Sequence, residues 1–503
     1  MILGDPDQAA GGARLDDLFR RAGVRSPDAL ALIDPPNRQS FDGATRRKLT
    51  YAETDRLISA FAARLRGLGL RSDAIVALQL ANTVESVIAL LGVLRAGMIA
   101  APLPLLWRQQ EVVAALRGVG AKAIVTAGPA CARSAMLAAV ELFPIRHVCA
   151  FGRDLPDGVV PLDDIFADDA PTNGQGAPRA GAAAAHVAVV TFDVTTGGVT
   201  ALARNHLQLM AGGLGVFLES GLMPGASILS AIPPASFSGI ALTVLPWLLS
   251  GGTLTLHHGG DLDALAAQCG ELADATLILP GPVLAPLAEA GRLGASVKSI
   301  AALWRAPEQL AASAAWRGDA TLVDVASFGE IGVLASRRGS DGLPPPIPHG
   351  RVCAGAGEPV TVAETTRTRL GTLALRGPMT AQSFPPGAEA GEAPDGFRDT
   401  GYTCRLQGDG LIVTGSPGGI LAVGGYRFSQ QSLDADLVGV DPAATLMAVP
   451  HGMLGQRLAG AAPDPSAARA ALRERGVNPL IADAFRAPGR ADAACSPIPL
   501  TAH

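Results

Sequence analysis

Hydrophobic residues between positions 49 and 126 follow two alternating patterns. The first pattern has helical spacing and predicts an amphipathic helix, with Gly69 as its C-cap. Its apolar positions are Leu57, Ile58, Phe61, Leu65 and Leu68. Short apolar runs then alternate with amphipathic stretches. They predict strands over 75–80, 98–102 and 123–126 and helices over 83–94 and 108–117, with Asn82 or Thr83 as N-cap of the former helix. Such alternation with short connections predicts parallel strands joined by crossover helices, as in an α/β domain.

A second α/β unit is predicted after an Ala-, Gly- and Pro-rich connection at 168–184. Its helices fall over 208–218 and 240–249 and its strands over 227–232 and 253–256. From about Gly350, short strands separated by Gly and Pro predict a β-rich subdomain, and after Gly415 a small α+β module follows. We therefore expect an N-terminal domain over 1–414, with parts at about 1–170, 185–345 and 346–414, and a small, shortened, mobile C-terminal domain over 415–503.

Composition and charge exclude several classes of protein. At 503 residues the chain exceeds the size of one hydrophobic core, and its net charge of −5 includes no basic stripe that would bind nucleic acid. The apolar run 86–106 is interrupted by Arg95, Pro102 and Pro104, so no membrane span is expected. Six scattered cysteines without a metal-binding spacing indicate reduced thiols, and the N-terminus lacks a signal-peptide pattern; both favour the cytoplasm.

Several passages, in this order, resemble the adenylate-forming superfamily, which contains the acyl-CoA synthetases and other AMP-dependent ligases. The matching segments are LTYAE at 49–53, LRAG at 94–97, PPASFSG at 233–239, LSGG at 249–252, SFGEIGVLA at 327–335, FRDTG at 397–401, GGYRFS at 424–429 and GQR at 455–457. The resemblance covers most of the chain. It implies a large N-terminal and a small mobile C-terminal domain, and a reaction in two halves: a carboxylate and ATP form an acyl-adenylate, and a thiol such as coenzyme A then displaces AMP.

The phosphate loop of the family is similar to residues 192–201. Thr195, Thr196 and Gly197 match its small hydroxyl-rich turn, and His206 falls on a histidine that the family often shows. The loop lysine is replaced by Thr200, and Asp193 adds a negative charge where triphosphate would lie. Two interpretations stay open: a residual anion-binding loop, or an ordinary turn from a strand to a helix.

Two further passages concern the metal and the acid. In one register Glu330 is the Mg²⁺-directing glutamate of the family, and in the other Gly332 takes that place; a solvated surface charge is the alternative. The acyl-pocket wall resembles the segment with Ser236, Phe237 and Gly239, where Ser236 replaces a frequent active-site histidine. Because the region 231–252 is aliphatic with two aromatic residues, it favours a fatty or aromatic acid.

The nucleotide side departs further from the family. Trp304 and Arg305 fall where a Gly-Gly-Ala turn meets adenine in the family, and we expect the indole to fill the base site. For Arg305 the alternative is a salt bridge to a surface carboxylate. Tyr402 replaces the ribose-binding aspartate. Asp399 and Arg405 are the other candidates near it.

Lysine is rare in this chain. The three lysines are Lys48, Lys122 and Lys298, so no lysine can serve as the C-terminal catalytic lysine of the family; Arg486 and Arg490 are the nearest cations. The hinge motif of the family is replaced by GSPGG at 415–419.

Two hypotheses follow from the resemblance and the losses. In the first, the chain is a working but divergent ATP-dependent acid–CoA ligase that uses Mg²⁺-ATP and coenzyme A, with an arginine in place of the catalytic lysine. The losses predict that adenylation is weak or lost. In the second, it is a non-catalytic homologue without a cofactor, which holds an acyl group, an acyl carrier protein or a homologous ligase. In both, a small carboxylic acid or acyl group is the expected ligand.

Overall fold

Two eight-stranded sheets form the main body in a computed structural model that describes residues 13–172, 184–385, 395–451 and 454–485. Six strands of the first sheet are parallel, and two further strands add by antiparallel pairing at one edge, beside Val187–Thr195. In spatial order its strands are Gln382–Ser383, Gly198–Asn205, Val187–Thr195, Ile99–Pro102, Ile75–Leu78, Ala123–Ala127, His147–Phe151 and Val160–Pro161. Its helices are Tyr51–Gly67, Val84–Arg95, Gln109–Leu116 and Pro129–Glu141, with a short 3₁₀ turn at Asp163–Phe166.

The second sheet takes strands from both ends of the N-terminal region. Its order is Gly332–Arg337, Thr321–Phe328, Val297–Trp304, Ala275–Pro280, Ser227–Ser230, Thr253–Leu256, Leu30–Ile33 and Lys48–Thr50. The helices of this part are Leu15–Arg25, Arg38–Phe41, His206–Glu219, Leu245–Ser250, Leu262–Glu271 and Gly281–Glu289, with shorter turns at Phe237–Gly239, Ile240–Val244 and Pro307–Ala312. Each sheet therefore contains strands from distant parts of the chain. The predicted boundaries of the domains and of their parts stay a prediction.

A six-stranded antiparallel sheet and a small α+β part complete the chain. The sheet order is Ile347–Pro348, Gly410–Gly415, Arg398–Gln407, Thr372–Arg376, Val360–Arg367 and Gly350–Ala354. The C-terminal part has the hairpins Ile420–Val423 with Tyr426–Ser429 and Thr445–His451 with Gly455–Ala461, and the helices Gln430–Val438, Pro465–Glu474 and Pro479–Ala482. Its own apolar core includes Phe428, Leu433, Leu472 and Phe485. The predicted fold class, α/β with a β-rich subdomain and a small α+β C-terminal part, is confirmed.

The helix Tyr51–Gly67 begins with a capping box. Thr50 caps the helix Tyr51–Gly67 by accepting from the Glu53 amide, and the Glu53 carboxylate accepts from the Thr50 amide in return. The predicted helix over 240–249 is instead a π-helical turn followed by an α-helix. Wider turns of this kind are frequent at functional sites.

Two expectations concern a membrane span and the state of the cysteines. No helix within the described residues is long and apolar enough to cross a membrane. Cys131, Cys149, Cys269, Cys353 and Cys404 are free thiols, as predicted. Cys495, Arg486 and Arg490 lie outside the described residues.

Candidate active site

The residues that resemble a phosphate loop form the turn of a β-hairpin. Thr195 and Gly198 pair at the ends of two antiparallel strands, and Thr196 and Gly197 form the tip. The Thr195 hydroxyl donates to the Gly198 carbonyl at 3.0 Å, and Gly198 has a φ of 108°, which favours glycine. The turn thus joins two strands, and the alternative of a strand-to-helix turn is wrong. Thr200 lies opposite Asp193 in the hairpin register.

Asp193 connects this hairpin to two distant parts of the chain. One carboxylate oxygen accepts from the Glu330 amide at 3.0 Å, and the other forms an ion pair with Arg427 of the C-terminal part. The two side chains of the ion pair are only 8% and 14% exposed. The negative charge that replaces part of a phosphate-binding turn is therefore already neutralised by a cation from the same chain.

The C-terminal hairpin 420–429 also contacts Arg305 and Leu106. The Gly425 carbonyl accepts from Arg305 at 3.2 Å, and the Tyr426 hydroxyl accepts from the Leu106 amide at 3.2 Å. A Cβ placed on Gly419 would lie 3.1 Å from the Thr196 methyl group. Gly419, which directly precedes the hairpin, therefore lies beside the turn at Thr196.

Trp304 and Arg305 point in different directions. The Trp304 indole donates to Asp324 at 2.9 Å and packs on Gly281, where a Cβ would overlap the ring. Asp324 is itself held in a buried ion pair with Arg338, at 2.6 Å. The indole is therefore part of the second sheet's packing. The Arg305 side chain, rather than the indole, faces the C-terminal hairpin.

Glu330 lies between the strands Thr321–Phe328 and Gly332–Arg337 and is 7% exposed. Its carboxylate accepts from the Phe237 amide at 2.7 Å. Burial, and then the nearby charge of Asp193, raise the pKa of this carboxyl group. Within the described residues, no group of three or more His, Cys, Asp or Glu side chains is placed to hold a metal ion.

The predicted acyl-pocket residues form a tightly packed segment. The Ser236 hydroxyl accepts from the Gly239 amide at 3.1 Å, and a Cβ on Gly239 would overlap the Pro233 carbonyl. The Phe237 ring packs on Gly212, where a Cβ would also overlap it. A side chain at Gly239 or Gly212 would therefore require the segment 233–239 to move.

A small crevice adjoins this segment. Its lining residues are Leu78, Leu80, Ser86, Leu90, Pro102, Pro234 and Ala235. Trp247, one of the two aromatic residues in the region 231–252, lies in the core, where its N–H donates to the Gly252 carbonyl at 2.9 Å.

The remaining candidates have other partners. His206 is buried, its Nδ1 accepts from the Leu15 amide at 3.4 Å, and burial lowers its pKa to about 4. Asp399 accepts from the Thr372 hydroxyl and the Gly401 amide, each at 2.9 Å. Arg405 is exposed on its strand. His206 is therefore part of the core packing, Asp399 bonds to its own strand and the neighbouring one, and Arg405 lies at the surface.

Tyr402 lies where the second sheet, the six-stranded sheet and the C-terminal hairpin meet; this place is called the junction below. It is 1% exposed, its ring meets Phe328 edge to face with centroids 5.5 Å apart, and its hydroxyl donates to the Arg305 carbonyl at 3.4 Å. The guanidinium of Arg427 lies 5.9 Å from the Tyr402 ring centroid. The aromatic residue that replaces a ribose-binding aspartate therefore packs inside the protein.

Sequence reasoning missed Arg204 entirely and did not foresee the role of Arg427. Arg204 is 1% exposed, and its guanidinium lies 3.6 Å from the centroid of the Phe237 ring. Its guanidinium donates to the carbonyls of Met379, at 3.0 Å, and Ile331, at 2.9 Å. An arginine within the apolar run GVTALARN was the available signal.

This arrangement of two α/β sheets, a β-rich subdomain and a C-terminal part over a hairpin turn is the fold of adenylate-forming ligases. Residues 19–374 match the family of AMP-binding enzymes, and the chain belongs to that family.

Individual relatives are similar over most of their length. The chain is 27% identical over 481 residues to a 2-hydroxy-7-methoxy-5-methyl-1-naphthoate–CoA ligase of Streptomyces carzinostaticus, covering 89% of this chain and 83% of that one. It is 26% identical to a feruloyl-CoA synthase of Amycolatopsis sp, covering 81% and 82%.

Solved structures share the fold. MbtA of Mycobacterium smegmatis, without ligand, gives a TM-score of 0.64 at 24% identity and covers 94% of this chain and 91% of its own. The amide bond synthetase McbA of Marinactinospora thermotolerans gives 0.68 at 19% identity, with coverage of 92% and 94%.

Proposed function

We propose that this acyl-CoA synthetase-like protein adenylates its acid weakly or not at all. The ion pair between Asp193 and Arg427 is the observation that carries the proposal. It puts a carboxylate at the hairpin that corresponds to the phosphate loop, and it engages the arginine that could otherwise contact an anion there.

The residues present do not fit Mg²⁺-ATP. Asp193 holds Arg427 in an ion pair, so this cation is not available to a phosphate at the turn. The Thr195 hydroxyl is already bonded to Gly198, and no lysine follows Lys298. Tyr402 offers no carboxylate to ribose hydroxyls. Loss of one preorganised group that stabilises a transition state typically lowers a rate by about 10²–10³.

A working acid–thiol ligase is the second candidate. The similarity to two aryl-CoA-forming enzymes over more than 80% of the chain favours it, as does the retained carboxylate of Glu330 at the junction. This candidate uses ATP, Mg²⁺ and coenzyme A, and its acid is aromatic. A carrier protein in place of coenzyme A is the corresponding partner.

Exchange of labelled pyrophosphate into ATP separates the two candidates, because exchange requires the first half-reaction. The purified chain is incubated with ATP, Mg²⁺ and a panel of aromatic and aliphatic acids, beside the feruloyl-CoA synthase of Amycolatopsis sp as a positive control. We expect exchange at least about 100-fold slower than in the control.

Two variants test the assignment if exchange occurs. Thr196→Ala and Glu330→Ala each remove a candidate site residue, and both should then abolish most of the exchange. Exchange at the rate of the positive control, sensitive to both substitutions, would refute weak adenylation.

A further inference from the structure

The outer face of the helix Pro129–Glu141 carries an exposed apolar strip. The inner face packs on the first sheet through three small buried residues, Ala132, Ala135 and Ala138. On the opposite side, Leu137 and Val140 are 55% and 86% exposed, and Phe143 in the turn that follows the helix is 99% exposed. Their spacing of three residues makes them neighbours, and these three residues are called the apolar strip below. A contiguous exposed apolar patch with a polar rim marks an interaction site.

Two opposite charges border the apolar strip at equal distances from Leu137. Arg133 lies four residues before Leu137 and Glu141 four residues after it, and both side chains are exposed. At a rise of about 1.5 Å per residue, each lies about 6 Å from Leu137 along the helix axis. The Glu141 carboxylate accepts from the Gln109 side chain at 2.7 Å, lies 4.0 Å from Arg117 and stays 46% exposed. A cation, an apolar centre and an anion therefore follow one another along one face of the helix.

This row of side chains is complementary to itself. In a dimer with a twofold axis, a residue i that contacts residue j of the second copy is matched by j contacting i. If the axis passes through Leu137 and the two helices run antiparallel, Arg133 of each copy lies beside Glu141 of the other, because both are four residues from the axis. The two Leu137 side chains then meet at the centre. A uniformly acidic or basic surface would attract one of the two charges and repel the other, whereas a second copy pairs both.

We propose that the helix Pro129–Glu141 pairs antiparallel with the same helix of a second copy of this chain, so that the protein forms a homodimer through the apolar strip. The proposal does not depend on whether the chain adenylates an acid. Two copies in contact over this face bury on the order of 1,000 Å², which is the size of weak and reversible interfaces. We therefore expect a dimer with a dissociation constant of about 10–100 μM.

Sedimentation velocity of the full chain, from about 1 μM to about 500 μM, measures self-association across the expected dissociation constant. Leu137→Asp should weaken the dimer by at least about tenfold, because two carboxylates then meet at the axis. Leu370→Asp is the matched control, since Leu370 is 85% exposed and lies just before the strand Thr372–Arg376 of the six-stranded sheet. It should associate as the parent does.

Exchange of the two charges tests the antiparallel pairing itself. Arg133→Glu and Glu141→Arg each place like charges opposite one another at both ends of the contact, so each variant alone should associate at least about tenfold more weakly than the parent. Mixed in equal amounts, the two variants should associate with each other about as tightly as the parent, because every charge then faces its opposite again. This recovery also shows that neither variant had lost its fold.

Three results would overturn the dimer: a chain that stays monomeric up to about 500 μM, a dimer that Leu137→Asp leaves intact, or charge variants that do not associate when mixed. A lipid surface is the other kind of partner that an exposed apolar strip fits. Cosedimentation with vesicles of phosphatidylglycerol and phosphatidylcholine tests it. Vesicle binding that Arg133→Glu weakens and Glu141→Arg strengthens would assign the strip to a membrane surface and refute the dimer. We expect the parent chain not to bind the vesicles.

Discussion

The ion pair between Asp193 and Arg427 should hold the C-terminal hairpin 420–429 on the phosphate-loop turn. Both side chains are largely removed from water. Removing one partner of a buried ion pair leaves the other charge uncompensated, at a cost of about 3–5 kcal/mol. Asp193→Asn keeps an oxygen for the Glu330 amide and removes the charge alone, so the variant isolates the ion pair.

The cost has an upper limit because the hairpin can leave its site. Once undocked, Arg427 is hydrated and no longer buried without a partner. We therefore expect docking to weaken by about 2 kcal/mol, which corresponds to about 30-fold more frequent opening.

Native-state hydrogen exchange of peptides covering 420–429 measures that opening directly. The set consists of Asp193→Asn, Arg427→Gln and the double variant, with Asp319→Asn as an exposed-carboxylate control. Exchange should rise about 30-fold in each single variant, and the double variant should add little, with a coupling of about 2 kcal/mol. A change below about threefold in Asp193→Asn, or full additivity in the double variant, would show that other contacts dock the hairpin.

Two further predictions concern stability. Because the pKa of His206 is about 4 in the folded chain and about 6.5 when unfolded, the unfolded chain binds more protons between these values. The free energy of unfolding should therefore be highest above about pH 6.5 and fall by about 2 kcal/mol toward pH 5. His206→Gln should remove this part of the pH dependence, which urea unfolding at the two pH values measures. An unchanged pH dependence in the variant would contradict the assignment to His206. In the helix His206–Glu219, Gly213→Ala should destabilise, since its Cβ would overlap Leu245, whereas Gly215→Ala meets only an ordinary contact at 3.9 Å and should gain up to about 1 kcal/mol of helix propensity. Thermal unfolding of the two variants checks the opposite signs, and a loss of stability for both would refute the packing argument.

Local sequence was sufficient for the elements whose pattern and caps agree. The strand Thr253–Leu256 was predicted to the residue, and the helix Tyr51–Gly67 was predicted from its apolar periodicity and from Gly69 just beyond its end, because periodicity and capping are properties of neighbouring positions. The absence of lysine after Lys298 likewise needs no structure. The family resemblance, and with it the fold class, also came from motifs in order along the chain.

The candidate site depended on contacts between distant segments. Nothing local to Trp304 indicates that its indole turns toward Asp324 while Arg305 faces the C-terminal hairpin. Similarly, the turn at Thr195 resembles a strand-to-helix connection until the strand Gly198–Asn205 pairs with its neighbour.

The sequence by itself determined the helices and strands, the family and the loss of amine side chains from the last part of the chain. Only the tertiary structure decided that Arg427 pairs with Asp193. The two residues are 234 positions apart and meet only when the C-terminal hairpin is docked. A local pattern records which face of an element is apolar. It does not record which charge from another domain will neutralise a carboxylate, and that pairing is set by burial and Coulomb energy in the folded chain.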